Sequence, residues 1–225
     1  MVRVTGAMAR SVQTAFAELW AGSHGEILVG PAVYPPLPDD GSGVKHVGLS
    51  SSPTDDQHPL RLFFALSFLA ARHKLYIASS YFVPDKFTRS FVADQARAGV
   101  DVRVLVPGGN TDAGPIRQAS HSYYEELLLA GVRIYEYQPT MMHAKYVVVD
   151  GRWSVVGSAN MDIRSKELNS ENVLGILDPG LARDLEASFM KDIAQAEEFH
   201  LETWRKRGPW AHVKERAAAL FVEQY

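Results

Sequence analysis

The chain has 225 residues, 46% of them apolar, and a formal net charge of −3. That length suits one large domain or one and a half small ones, with enough apolar content for a sizeable core. Having no cysteine, the chain cannot form disulfides, use a catalytic thiol or ligate a metal through a thiolate, and no basic excess advertises nucleic acid.

Residues 7–22 repeat apolar side chains at helical spacing, with Met8, Val12, Phe16, Leu19 and Trp20 on one face. Residues 30–43, GPAVYPPLPDDGSG, are rich in Pro and Gly and read as a linker. A regular rhythm follows. VKHVGLS predicts a strand, HPLRLFFALSFLAARH a helix, KLYIASSYF a strand and DKFTRSFVADQARAG a helix. VDVRVLVPG, AGPIRQASHSYYEELLLAG and VRIYEYQ continue as strand, helix and strand. This alternation implies an α/β fold with a mixed, mainly parallel β-sheet and helices on both faces. AKYVVVDG and WSVVGSA then form an antiparallel hairpin about the Asp150-Gly151 turn. NVLGILD is a further strand, and PGLARDLEASFMKDIAQAEEF is a long helix opened by Asp178-Pro179. No apolar run is long enough to span a membrane; PLRLFFALSFLAARHKLYIASSYF comes closest and is bracketed by Arg61 and Arg72-His73-Lys74. AMARSVQTAF near the start resembles GLARDLEASF near the end, Arg10 matching Arg183, Val12 matching Leu185 and Phe16 matching Phe189.

The hairpin sequence HAKYVVVDGRWSVVGSAN, residues 143–160, carries the candidate chemistry. Period-two alternation puts His143, Lys145 and Val147 on one face. The antiparallel return brings Gly157, Ser158 and Asn160 back towards His143. Lys145, Ser158 and Asn160 are donors that suit phosphate oxygens, and a histidine among them can attack phosphorus or move a proton. Gly157 and the small Ser158 would let a substrate approach the backbone closely. Asp150 sits at the turn, away from the cluster, and reads as structural, bonding turn backbone.

His143, Lys145, Asp150, Gly157, Ser158 and Asn160 fill the pattern H-x-K-x4-D-x6-G-S-x-N, and on these residues the chain resembles the phospholipase D superfamily. SSYFVPD, GVDVRVLVPG, SYYEELLLAGVRIYEYQ and SANMDIRSKELNSENV are similar to the C-terminal half of bacterial cardiolipin synthases. The chain departs from that branch at Ser170 and at Met141-Met142. The resemblance implies a phospholipase D-like lobe and a phosphatidyltransferase that works through a phosphohistidine, with no metal and no cofactor. It gives Glu171 the place of the acid that orients the motif histidine, and sets Tyr81 and Arg164 at the pocket. Two such motifs build one site, yet this chain has one: of the other histidines only His212 has a lysine two residues later, Lys214, and neither the Asp nor the Gly-Ser-x-Asn of the motif follows it. Residues 1–29 therefore resemble the tail of a first lobe, residues 44–199 are the lobe carrying the motif, and 200–225 are an amphipathic helical tail. The second motif would come from an N-terminal half or from a homodimer. The implied partner is an anionic phospholipid, at the cytoplasmic face of a membrane. WRKRGPWAHVKERAAALF offers a peripheral contact there, with Trp204 among basic residues and Trp210, Val213, Ala217, Leu220 and Phe221 on one helical face; the alternative is that this face packs on protein. Two other functions remain: a phosphodiesterase on another substrate, including a homodimeric nuclease, and a non-catalytic lobe that binds phosphate head groups.

Overall fold

A computed structural model describes residues 2–37, 43–53, 59–162, 165, 168–208, 210, 214–215 and 217–220. The elements in chain order are α1 (Gly6–His24), β1 (Lys45–Ser51), α2 (Pro59–Leu69), β2 (Lys74–Ser79), β3 (Phe82–Val83), α3 (Lys86–Arg97), β4 (Asp101–Pro107) and α4 (Gly114–Leu129). They continue with β5 (Arg133–Tyr137), β6 (Lys145–Val149), β7 (Trp153–Gly157), β8 (Met161–Asp162), β9 (Glu171–Leu177), α5 (Pro179–Ile193), β10 (Ala196–Phe199) and α6 (Leu201–Arg205).

Eight strands form one sheet in the order β1-β9-β7-β6-β2-β4-β5-β10, and β3 pairs with β8 in a small second sheet. Both faces of the large sheet are covered, which explains its nearly continuous apolar strands. Leu75, Ile77, Val104, Ile134, Val147 and Val149 point to one side, where Leu60, Phe64 and Phe68 of α2, Val92 of α3, and Tyr124 and Leu127 of α4 close the main core. Their neighbours Tyr76, Ala78, Leu105, Tyr135 and Tyr146 point to the other side, where Phe189 of α5 stacks on Tyr76 at 5.0 Å. Helix starts follow local chemistry. Asp85 caps α3 by accepting from Thr88 N, and Asp178 caps α5 ahead of Pro179 by accepting from Gly180 N and Leu181 N.

The α/β class and the helices on both faces match the sequence reading, but the sheet is not mainly parallel. Within it only β2–β4 and β4–β5 pair in parallel. The β1–β9, β9–β7, β7–β6, β6–β2 and β5–β10 pairs are antiparallel. Helical crossovers make the two parallel steps, and the hairpin with its flanking strands and the edge strand β10 make the rest. The long helix read from PGLARDLEASFMKDIAQAEEF stops at Ile193, and Ala196–Phe199 turns back as edge strand β10 on β5. There Arg133 of β5 holds Glu198 through a forked ion pair.

The apolar face read for the first helix is not its buried face. Ala15 and Ala17 are buried, whereas Phe16 is 51% and Leu19 52% exposed. Nor is the C-terminal region divided as its periodicity suggested. Trp204 is buried against Tyr124, Phe199 and His121, so it belongs to the core. Further on, Glu215 and Ala219 face inward, while Trp210 and Leu220 face solvent. Val213 and Phe221 lie outside the described residues.

Candidate active site

The antiparallel β6–β2 register sets Lys145 opposite Ser79, so the start of β6 meets the end of β2. His143 lies two residues before the first residue of β6 and is exposed. Lys145 is half-buried. Its Nζ donates to Ser80 Oγ at 3.0 Å and lies 3.4 Å from the His143 carbonyl oxygen. Burial pulls the ammonium below the usual lysine range, and the carboxylates of Glu171, Asp112 and Asp162 oppose that shift.

The return strand delivers the remaining donors. Ser158 N donates to Asn172 O at 3.0 Å, and Asn172 N donates to Ser158 Oγ at 3.0 Å. The Ser158 hydroxyl in turn donates to a Glu171 carboxylate oxygen. Parallel pairing of β3 with β8 then brings Asn160 beside Tyr81. Asn160 is buried, and its Oδ1 accepts from Tyr81 N at 3.3 Å, which leaves its amide nitrogen as a donor. The backbone around it is tied down: Asn160 N donates to Ser165 Oγ at 3.0 Å, and Met161 N to Ser79 Oγ at 3.0 Å. Tyr81 completes the cluster. Its ring stands edge-on to the His143 imidazole, with centroids 6.1 Å apart, and Lys145 Nζ lies 6.0 Å from its centroid.

Thus His143, Lys145, Ser158, Asn160, Glu171 and Tyr81 meet at one end of the sheet. Arg164 lies outside the described residues. One expectation needs correction. Glu171 was expected to orient His143, but its carboxylate takes bonds from Ser158 and from Asn169 Nδ2 at 3.4 Å; no described hydrogen bond joins it to His143. Gly157, expected to open the backbone to a substrate, also has a packing reason to be glycine. A Cβ there would sit 2.3 Å from Asn172 O and 2.7 Å from Val173 Cα, so the glycine lets β7 and β9 approach each other.

Asp150 lies at the far end of the hairpin, as the turn position implied. Its carboxylate accepts from Arg72 N at 2.9 Å, His73 N at 2.8 Å and Lys74 N at 2.8 Å, fastening the hairpin to the start of β2 rather than only to its own turn. Burial alone would raise its pKa, but the three backbone donors carry it below the usual carboxylate value. Sequence reasoning missed Ser80 and Asp112. Ser80 is a plain strand-end serine in the sequence, and Asp112 lies in a Gly-rich loop 31 residues from Tyr81, whose hydroxyl it receives at 3.0 Å. Nothing in the spacing of either residue signals its contact.

Residues 67–193, more than half of the chain, match the family described as cardiolipin synthase, PLD-like domain. The chain belongs to this phospholipase D-like family. It is 34% identical over 221 residues to a probable cardiolipin synthase, YwiE, of Bacillus subtilis, covering 98% of this chain and 44% of that protein. It is 36% identical over 221 residues to cardiolipin synthase A of Pseudomonas fluorescens, covering 97% of this chain and 45% of that protein. The chain therefore spans about half the length of the curated relatives it matches. The fold is also that of Nuc, a phospholipase D family member from Salmonella typhimurium: TM-score 0.59 at 17% identity, covering 69% of this chain and 99% of Nuc. No helix among the described residues is long and apolar enough to cross a membrane.

Proposed function

We propose that this chain is the C-terminal catalytic half of a cardiolipin synthase-like phosphatidyltransferase that exchanges the alcohol of a phospholipid phosphodiester. The observation that carries this reading is the convergence of His143, the half-buried Lys145 and the fixed Asn160 at one end of the sheet. A phosphodiester anion placed there would receive N–H bonds from Lys145 and Asn160. Those bonds strengthen as charge builds on the equatorial oxygens during displacement.

The exchange needs two imidazoles. One attacks phosphorus: an N–P bond forms, the bond from phosphorus to the leaving alcohol breaks, and the second histidine gives that alkoxide its proton. An acceptor hydroxyl then loses its proton to the second histidine, bonds to phosphorus and releases the first. His143 supplies one of these groups and a second H-x-K motif supplies the other. The likeness of α1 to α5 supports a preceding lobe as its source. Phe189 of α5 is fully buried on the sheet, whereas the matching Phe16 of α1 is half-exposed, as it would be if it belonged against the sheet of another lobe. On this reading residues 1–29 are the end of that lobe and 30–43 the link between lobes. The substrate is an anionic phospholipid, met at the cytoplasmic membrane surface, and the transfer needs no metal or cofactor.

The test is phosphatidyl transfer between phosphatidylglycerol molecules in a preparation that also contains the second motif. His143→Asn should lower the rate at least ~10³-fold with unchanged thermal unfolding, as loss of an essential acid–base or nucleophilic group does. A rate near that of the unsubstituted protein refutes the assignment. The 225-residue chain alone should be nearly inactive. A rate that grows with the square of its concentration would place the second motif in a homodimer.

A further inference from the structure

The phosphorus-binding donors leave unexplained a pair of residues at the same end of the sheet, Tyr81 and Asp112. Asp112 lies on the loop between β4 and α4 and is exposed. The loop is anchored: Gly108 N donates to Tyr137 O at 2.9 Å, and Asn110 Nδ2 to Gln138 O at 2.8 Å. Tyr81 is held from below, its N on Asn160 Oδ1 and its O accepting from Ser79 Oγ at 2.8 Å. The Tyr81 hydroxyl donates to Asp112 Oδ2 at 3.0 Å. Burial, that hydrogen bond and the nearby charges of Asp112 and Asp162 all raise the phenol's pKa, so it stays a donor at neutral pH. The pair thus carries a fixed carboxylate over the edge of the site, close enough for its charge to act on Lys145.

A carboxylate is the wrong group for a phosphate. It repels the anion and has no proton to give. It is the right group for an alcohol rich in hydroxyls, because it accepts their O–H bonds with the strength of a charged acceptor. One phosphodiester exchange requires such a subsite twice. The leaving alcohol and the attacking alcohol occupy the same place on phosphorus, opposite the histidine bonded to it.

Resting on the phosphatidyltransferase reading, we propose that Asp112, positioned by Tyr81, is the specificity-determining residue for the exchanged alcohol and selects a polyol. Its Oδ1 accepts a hydroxyl that does not react, and this holds the reacting hydroxyl in line with phosphorus, opposite the histidine bonded to it.

The experiment is a competition between two acceptors of equal carbon count, glycerol and 1-propanol, for the phosphatidyl group. It uses the protein together with its second motif, and reads the ratio of the two transfer products. Asp112→Ala should lower the glycerol-to-propanol ratio roughly tenfold, the loss that removing one hydrogen bond to a charged group produces. Asp112→Asn, which keeps an acceptor oxygen without the charge, should fall between. Tyr81→Phe should lower the ratio less than Asp112→Ala does, since it frees the carboxylate without removing it. A ratio unchanged in Asp112→Ala, whatever the total rate, overturns the inference, because a merely structural loop would slow both acceptors alike. If the unsubstituted protein transfers to neither alcohol and cleaves no phosphodiester, the phosphatidyltransferase reading itself falls, and this inference with it.

Discussion

Replacing Asp150 by alanine should destabilise the fold strongly without touching the site directly. Three backbone N–H groups, of Arg72, His73 and Lys74, would lose a charged acceptor. A hydrogen bond to a charged group is worth about 1.5–3 kcal/mol when buried. This carboxylate is partly solvated, so water recovers much of that, and about 1 kcal/mol per bond is a fair remainder. Asp150 is also the one described non-glycine residue with positive φ, at 50°. Alanine held there adds about 1 kcal/mol, because Asp tolerates the left-handed region and alanine does not. The total is about 4 kcal/mol, and at about 2–4 °C per kcal/mol for a chain of this size the midpoint should drop by about 10 °C. Thermal unfolding of Asp150→Ala, Asp150→Asn and Asp150→Gly separates the two causes. Glycine removes the backbone strain but not the lost bonds, and asparagine keeps the turn and part of the acceptor. Both should be destabilised, and both less than alanine. Because the folded carboxyl lies below its unfolded value, its contribution is complete above that value, near pH ~3.9, and is lost as pH falls through the folded one. The stability gap between the unsubstituted protein and Asp150→Asn should therefore close below about pH 4. An alanine variant within 1 °C or so of the parent, or a glycine variant that recovers fully, would refute the role of the three bonds.

Gly157→Ala should unfold the chain or lower its urea midpoint sharply. Its Cβ would meet backbone of β9 at 2.3 Å, and backbone cannot swing aside as a flexible side chain can. Glu136 is fully buried and accepts from Arg117, His121 and Tyr124, so Glu136→Gln should cost about 3–5 kcal/mol in urea unfolding by leaving the Arg117 charge without its partner. A cost below ~1 kcal/mol would show that water replaces that carboxylate. For membrane contact, a variant with Trp210→Ala and Leu220→Ala should sediment less with anionic vesicles than the parent, and salt should weaken the parent's binding. Equal sedimentation of the two would leave this face without a lipid role.

How far the sequence carried depended on the range of the interaction. The hairpin and its motif were legible because their chemistry is local. Alternation, an Asp-Gly turn and an antiparallel return determine which side chains meet. The helix start at Asp178-Pro179 was equally local. The sheet's antiparallel majority was not legible, since nothing in an apolar strand states which neighbour it pairs with. Neither was β10: AEEF continues the helical pattern, and only its pairing with β5 and the Arg133–Glu198 contact reveal an edge strand. The first helix misled for a different reason. Its large apolar residues mark one face by periodicity, but the buried positions are Ala15 and Ala17, and Phe16 and Leu19 are exposed. In the site, Glu171 stands beside the motif residues, but the Ser158 hydroxyl reaches its carboxylate and no described hydrogen bond links it to His143. The Tyr81–Asp112 contact joins two loops distant in sequence and leaves no local trace.

The central claim is that His143 serves a double displacement at phosphorus through a histidine-bound intermediate. The most direct measurement is the stereochemical course of transfer from a phosphodiester chiral at phosphorus. The account predicts overall retention of configuration, from two successive inversions, whichever histidine bonds phosphorus, and no detectable transfer in His143→Asn. Inversion would mean a single displacement and contradict the covalent intermediate. Transfer with retention in His143→Asn would remove His143 from the chemistry.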